Sequence, residues 1–512
     1  MPNRRLIENG PGNAGLAKEW PRSHGFAPPS SRKSAPSLSV VFSSHIFLFY
    51  FLPLSLLLYY ASPRVMKHLT LTLVSYVFYG WWNPWFIFLM LASTAIDYYC
   101  GMMVSSTGAS ASRRKTGLML SVVSNLAILV FFKYTTFFAY NANLLSQAAG
   151  MGPLNLPAYF YQIILPVGIS FYTFQSMSYC IDLYRGHAVP ARSFIDFACY
   201  VSMYPQLVAG PIVRYGSVAD QLRERSHTLE GFVAGFTRFN YGFAKKILLA
   251  NPMGSIADAC FNAGTGTLTA PMAWLGVMAY AFQIYYDFSA YSDMAIGLGR
   301  LFGFRFPENF NSPYKSKSIT EFWRRWHISL STFLRDYLYI PLGGNRLGPA
   351  RTYANLLLVM LIGGFWHGAQ WTFIVWGAIH GVMLAFERLM GKDSWYAHLP
   401  NPIRVGITFV VVLVTWVFFR SENFDVAQRY LAAMSGMGGS APTAHLLSAS
   451  LLRPANWFWL AASAVFAWGL PTSAVFLEKL TPAKILGGFL LLSLSVALLY
   501  TQGFNPFLYF QF

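Results

Sequence analysis

Trp85-Phe-Ile-Phe-Leu-Met-Leu-Ala-Ser-Thr-Ala-Ile-Asp-Tyr-Tyr-Cys-Gly-Met-Met-Val104 is the stretch that decides the fold class. Wound into an α-helix, it is long enough to cross the hydrocarbon core of a bilayer, which takes roughly 20 mainly apolar residues. Residues 45–61, 117–138, 270–288, 353–365, 371–386, 405–419, 457–475 and 485–500 repeat the pattern, several of them shorter or interrupted by polar side chains. Only helices and closed barrels satisfy every backbone group in lipid. The chain therefore reads as an all-α polytopic membrane protein with about eleven spans and one or two partial ones. Composition agrees: 55% of the 512 residues are hydrophobic, 11% charged and 18% aromatic, which is far from a soluble domain.

The formal charge of +18 raises the question of nucleic acid. The basic residues, however, stand in short clusters between apolar stretches: Arg113, Arg114 and Lys115; Arg223 and Arg225; Lys245 and Lys246. That distribution reads as cytoplasmic loops, with lipid and not nucleic acid as the partner. Cys100, Cys180, Cys199 and Cys260 are widely separated, have no metal-ligand spacing, and are expected to pack as buried thiols. Residues 1–38 are polar, rich in Pro, Ser, Gly and Arg, and lack the apolar core of a secretory signal. They are expected to be a disordered extension ahead of a single integral-membrane domain over 39–512.

A helix start is legible at Ser318-Ile-Thr-Glu321, a capping box in which Ser and Glu take up free N–H groups. Phe322, Trp326, Leu330, Phe333 and Tyr337 then follow at helical spacing, which predicts one amphipathic helix lying at the interface or half inserted. From 300 to 351, nine Lys or Arg stand against Glu308, Glu321 and Asp336. This basic excess favours the cytoplasmic side, and Lys315, Lys317, Arg324 and Arg325 are candidates for binding the phosphates of a nucleotide-like donor.

Few groups are placed to do chemistry. His367, in Gly363-Gly-Phe-Trp-His-Gly-Ala-Gln-Trp371, sits at the junction of two apolar segments. An imidazole there can act as general base toward a hydroxyl, or can simply be hydrogen-bonded at a helix end. His327, in Trp323-Arg-Arg-Trp-His327, could orient a donor or form part of a tunnel wall, or be a satisfied structural histidine. His380 lies roughly 20 Å further along if one helix joins it to His367, so it reads as a packing residue. Asp287 and Asp293 need partners if buried, with Arg300, Arg305 or nearby hydroxyls in reach, and a structural network is the stronger reading. Gly210-Pro211 should break a helix, leaving Arg214 to anchor an interfacial segment or meet an anion. No nucleophile elbow, phosphate-binding loop, dinucleotide fingerprint or metal motif is present.

These segments, taken together, resemble the membrane-bound O-acyltransferase family and, within it, the alginate O-acetylase group. The likeness is carried in order by Val41-Phe-Ser-Ser44, Ser75-Tyr-Val-Phe-Tyr-Gly-Trp-Trp82, Pro166-Val-Gly-Ile-Ser-Phe-Tyr-Thr-Phe-Gln175 and Pro205-Gln-Leu-Val-Ala-Gly-Pro-Ile212. It continues through Asp287-Phe-Ser-Ala-Tyr-Ser-Asp-Met294, Asn311-Ser-Pro-Tyr314, Phe322-Trp-Arg-Arg-Trp-His327 and Trp366-His-Gly368. The resemblance implies tilted, re-entrant and interfacial helices around a central tunnel, with His367 and His327 as catalytic residues. It implies acetyl transfer from a cytoplasmic donor, with acetyl-CoA as substrate and no bound cofactor. The acetyl group would cross the bacterial inner membrane toward an extracytoplasmic transferase of the SGNH-hydrolase-like type and an envelope or exported polysaccharide. Phe507-Leu-Tyr-Phe510 resembles an aromatic motif that in relatives offers a tyrosine as acyl relay, which maps to Tyr509; an interfacial aromatic anchor is the other reading. A D-alanyl exporter of the same family, a polysaccharide transporter or flippase, and an assembly scaffold are the rival functions.

Overall fold

A computed structural model describes residues 41–508 apart from 209, 392–393, 440, 504 and 507. The expected extension over 1–38 and the relay candidate Tyr509 lie outside the described residues. All assigned elements among the described residues are helical. Large apolar side chains point outward, among them Leu57 (66% exposed), Trp85 (76%), Leu145 (71%) and Leu490 (63%). A surface of that kind is solvated by lipid and not by water.

Five helices are long and apolar enough to cross a bilayer on their own: Trp85–Ser105, Ala111–Ala148, Trp371–Met390, Asn401–Arg420 and Pro482–Thr501. The apolar run first quoted is thus one continuous helix. Five is fewer than the eleven or so spans expected, because other apolar stretches are built into shorter, bent or deeply buried helices. Residues 270–288 are the clearest case. They form the first part of a 32-residue helix, Ala270–Leu301, which at 1.5 Å per residue is about 48 Å long. Its side chains are buried along nearly its whole length, so it is the central post of the molecule and not a lipid-facing span.

The polar residues on this post explain why it is enclosed. Asp293 is ion-paired to Arg238 at 2.5 Å and to Lys245 at 2.5 Å, and Asp287 to Lys246 at 2.6 Å. Lys245 and Lys246 are therefore not loop charges. Residues 229–261 are helical throughout, with a π-helical stretch at Lys245–Ala250, and both lysines turn inward to the two carboxylates. The aspartates thus find their cations on the neighbouring helix, and not in Arg300 or Arg305. Close approach makes this geometry possible, since a Cβ on Gly242 would meet Ala290 O and one on Gly297 would meet the backbone of Gly235 and Phe239. Small residues at such crossings are how buried membrane helices pack.

Around the post lie two large apolar clusters, one containing Phe47, Tyr179, Tyr204 and Met294, the other Trp326, Trp376, Trp416 and Phe419. A smaller cluster of Phe171, Phe174, Ile212, Leu330, Phe333 and Trp366 fills a third region. The four cysteines are buried and free, as expected.

Candidate active site

The helix begun at Ser318 does not run on. Ser318 Oγ accepts from Glu321 N–H at 3.1 Å, as the capping box requires, but the helix ends at Arg325 and a second begins at Ile328. Between them His327 adopts φ +43, one of two non-glycine residues with positive φ among those described. A non-glycine side chain in that region is strained unless its surroundings fix it, and here they do. Ile328 N–H donates to Asn309 O (2.9 Å), Ser329 N–H and Oγ both donate to Asn309 Oδ1 (3.1 and 2.9 Å), and Asn311 N–H donates to Arg325 O (2.9 Å). The chain before the helix thus takes up the backbone groups that the break releases. Ile212 N–H adds a bond to Ser329 Oγ at 2.9 Å, so the Gly210-Pro211 break braces the same point. Arg214 does meet an anion, the Asp336 carboxylate at 2.8 Å.

The expected amphipathic stripe is still buried. Phe322, Trp326, Leu330 and Phe333 each expose 4% or less, because the kink re-aims the second helix without turning its apolar face outward. What the kink changes is His327, which is only 1% exposed, with neither ring nitrogen holding a partner among the described residues.

His367 is the last residue of the Pro349–His367 helix. Its partner in the hairpin, Trp371–Met390, is packed so closely that a Cβ on Gly364 would strike Phe373 O and one on Gly377 would strike Met360 O. This turn brings the His367 ring to 6.2 Å from the His327 ring, centroid to centroid. Trp366 (5.0 Å), Phe419 (5.3 Å) and Trp376 (5.5 Å) enclose it, and Phe288 and Phe310 flank His327 at 6.4 and 6.3 Å. The imidazole pair therefore stands where the smaller apolar cluster meets the tryptophan-rich one. Among the described residues the immediate surroundings of the pair are aromatic. His367 retains 6% exposure.

His380 is not in this pair. The chain turns at 368–370, so the premise of one helix through both histidines fails, yet the packing reading stands. The His380 Nδ1 edge meets Trp323 Nε1 at 3.3 Å and Nε2 meets Thr415 Oγ1 at 3.1 Å.

The basic candidates divide. Arg325 is engaged by Glu321 at 2.8 Å and donates to Asn311 O at 3.1 Å. Burial works to raise the Glu321 carboxyl, but the Lys317 N–H and then Arg325 outweigh it and hold the group below its ordinary value. Lys315 Nζ donates to Leu470 O at 3.2 Å. Lys317 contributes backbone, its carbonyl accepting from Tyr396 Oη at 2.9 Å. Arg324 is exposed and, with Arg325, lines an open hollow of about 480 Å³ together with Asn311, Ser318, Thr320 and Glu321. That hollow lies on the same short helix whose end carries His327.

Three residues at the site were not singled out from sequence. Lys133, a lone cation within Val130-Phe-Phe-Lys-Tyr134, donates from Nζ to Trp366 O at 2.5 Å and His367 O at 3.2 Å. It serves as the cap for the last carbonyls of the His367 helix, a favourable place for a cation. An ionisable residue inside an apolar run was the available signal. Glu387 caps the other element, accepting from Ile319 N–H (2.5 Å) and Thr320 N–H (2.9 Å). Asn309 is the third, and nothing in its local sequence marks it.

Residues 69–422, which include both histidines, match the membrane-bound O-acyltransferase family. The chain is 50% identical over 399 residues to the probable alginate O-acetylase of Azotobacter vinelandii, covering 78% of this chain and 79% of that one. It is 38% identical over 434 residues to the peptidoglycan O-acetyltransferase of Helicobacter pylori, covering 78% and 80%. The teichoic acid D-alanyltransferase of Streptococcus thermophilus is 30% identical over 285 residues, covering 49% and 68%. A histidine pair brought together inside a helical membrane body, on a match that spans most of the chain, leads to one conclusion: this multi-pass membrane protein belongs to the membrane-bound O-acyltransferase family and is an O-acyltransferase.

Proposed function

We propose that this enzyme takes an acetyl group from acetyl-CoA on the cytoplasmic side and passes it across the bacterial inner membrane for O-acetylation of an exported or envelope polysaccharide of the alginate type. The single observation that carries the chemistry is the convergence of His327 and His367, far apart in the chain, to 6.2 Å in a buried aromatic surround. The choice of acetyl over D-alanyl follows the relatives: the alginate and peptidoglycan enzymes match over most of this chain, the D-alanyl enzyme over about half.

In this reading a hydroxyl oxygen attacks the thioester carbonyl carbon while the neutral imidazole of His367 takes its proton. The C–S bond then breaks, the proton passes to the departing thiolate, and CoA leaves as the free thiol. His327 is the second imidazole facing the reacting acyl group, its free nitrogens available to orient it. Arg324 and Arg325, which line the hollow, are the site for the donor's phosphates, with Lys315 and Lys317 as further candidates. Tyr509 is the first acceptor, and an SGNH-hydrolase-like extracytoplasmic transferase takes the group onward to the polysaccharide.

His367→Ala is expected to abolish acetyl transfer from labelled acetyl-CoA while the protein stays in the membrane at wild-type level. Retained transfer removes His367 from the mechanism, and a purified wild-type enzyme that uses only a carrier-bound acyl group removes acetyl-CoA.

A further inference from the structure

The ion pair between Lys246 and Asp287 is buried midway along the central helix, with the two residues 1% and 0% exposed. A buried pair of this kind gains little over apolar side chains of the same size, because desolvation offsets the attraction. Its second contacts supply a reason for it. Lys246 Nζ also donates to Pro506 O, and Asp287 Oδ2 accepts from Leu508 N–H at 2.9 Å. The two halves of one ion pair thus hold the carbonyl and the amide of a single three-residue segment near the C-terminus.

The approach to that segment is guided as well. Asn251 Nδ2 donates to Gln502 Oε1 (3.2 Å) and Asn505 Oδ1 (3.3 Å), and Asn505 Nδ2 donates to Ser43 O at 3.0 Å. Leu508 is 0% exposed and belongs to the tryptophan-rich cluster that also holds Trp376 and Phe419. After the Pro482–Thr501 helix the chain at Asn505 and Pro506 is irregular, and Leu508 lies in the interior. Backbone at depth that lies outside a long helix must have its polar groups satisfied by protein, and the two side chains of the ion pair do this for Pro506 O and Leu508 N–H.

We infer that Lys246 and Asp287 are positioning residues, a backbone clamp that fixes the register of the C-terminal segment at 506–508. The clamp holds backbone groups and not side chains. Its consequence for acyl transfer rests on the proposal that Tyr509 is the first acceptor.

The test uses the full chain in detergent or nanodiscs. Leu508→Cys places a reporter at the clamped segment, and the four native cysteines are buried and silent. Lys246→Asp with Asp287→Lys keeps an opposite-charge pair but leaves no donor for Pro506 O and no acceptor for Leu508 N–H. A merely structural pair tolerates this exchange with the reporter still protected. The clamp predicts that maleimide labelling of the reporter speeds up by at least about tenfold as the segment opens. Equal labelling in the two backgrounds overturns the inference. In the unmodified protein, the Leu508 amide should exchange its hydrogen at least about a hundredfold more slowly than an unstructured amide. Exchange at the unstructured rate overturns the inference even if the swapped chain fails to fold. Faster labelling with acetyl transfer intact leaves the clamp standing and removes the Tyr509 relay.

Discussion

His367 owes its position to Lys133 as much as to its own helix. A half-buried lysine that donates to both Trp366 O and His367 O ties the end of one helix to the middle of another, Ala111–Ala148. Hydrogen bonds of this kind contribute about 0.5–1.5 kcal/mol each, and with His367 as the proposed base a displacement of about 1 Å loses on the order of a hundredfold in rate. Lys133→Met is therefore expected to lower acetyl transfer by about a hundredfold, while the protein stays folded with a modestly lower Tm. Steady-state transfer alongside thermal unfolding checks this; unchanged kcat would mean that the ring is held without the lysine. His327 is the complementary case, since its placement comes from backbone strain that Asn309 and Asn311 stabilise.

At the scale of elements, the glycine-lined hairpin from 349 to 390 and the kinked helix from 319 to 334 bring the two histidines together. The hairpin depends on the absence of side chains at Gly364 and Gly377, where an added methyl would meet the carbonyls of Phe373 and Met360. Gly364→Ala should cost about 1–3 kcal/mol through overpacking and should spread the hairpin at the end that carries His367. Gly406, on the Asn401–Arg420 helix with nothing within reach of an added Cβ, is the control. There Ala should be neutral or stabilise by roughly 0.5–1 kcal/mol. Thermal unfolding in one detergent compares the two, and similar losses at both sites would refute the close-packing account. The start of the kinked helix was legible from Ser318 and Glu321, because capping is a local interaction. Its break at Trp326 and His327 was not, because the groups that compensate for it come from 212 and 309–311.

For the whole molecule, the polar centre is the mechanical tie. Arg238, Lys245 and Asp293, with Glu308 on Arg238 at 2.7 Å and Ser473 on Asp293 at 2.7 Å, link the central post to its neighbour helix and to two distant stretches of chain. Asp293→Asn leaves two cations facing a neutral amide, and breaking a buried pair in this way costs about 3–5 kcal/mol. Equilibrium unfolding in detergent, with an expected drop of that size, is the check; a loss under about 1 kcal/mol would mean that the cluster is solvated. The lysines of this centre look like loop charges in sequence. Only the unbroken helix across 229–261 turns them inward.

The sequence by itself determined the solvent, and through its family motifs the class of chemistry. Apolar runs of bilayer length require lipid and the capping box sets a helix start, because both follow from local composition or spacing; the histidine between apolar segments stood out only as a candidate until the family motifs were read with it. Tertiary structure alone decided that the 270–301 helix is a buried post, that Lys245 and Lys246 serve its carboxylates, that Lys133 caps the His367 helix, and that His327 faces His367. Those facts rest on contacts between residues tens to hundreds of positions apart, and neither hydropathy nor periodicity encodes which distant partner satisfies a buried charge or a strained turn.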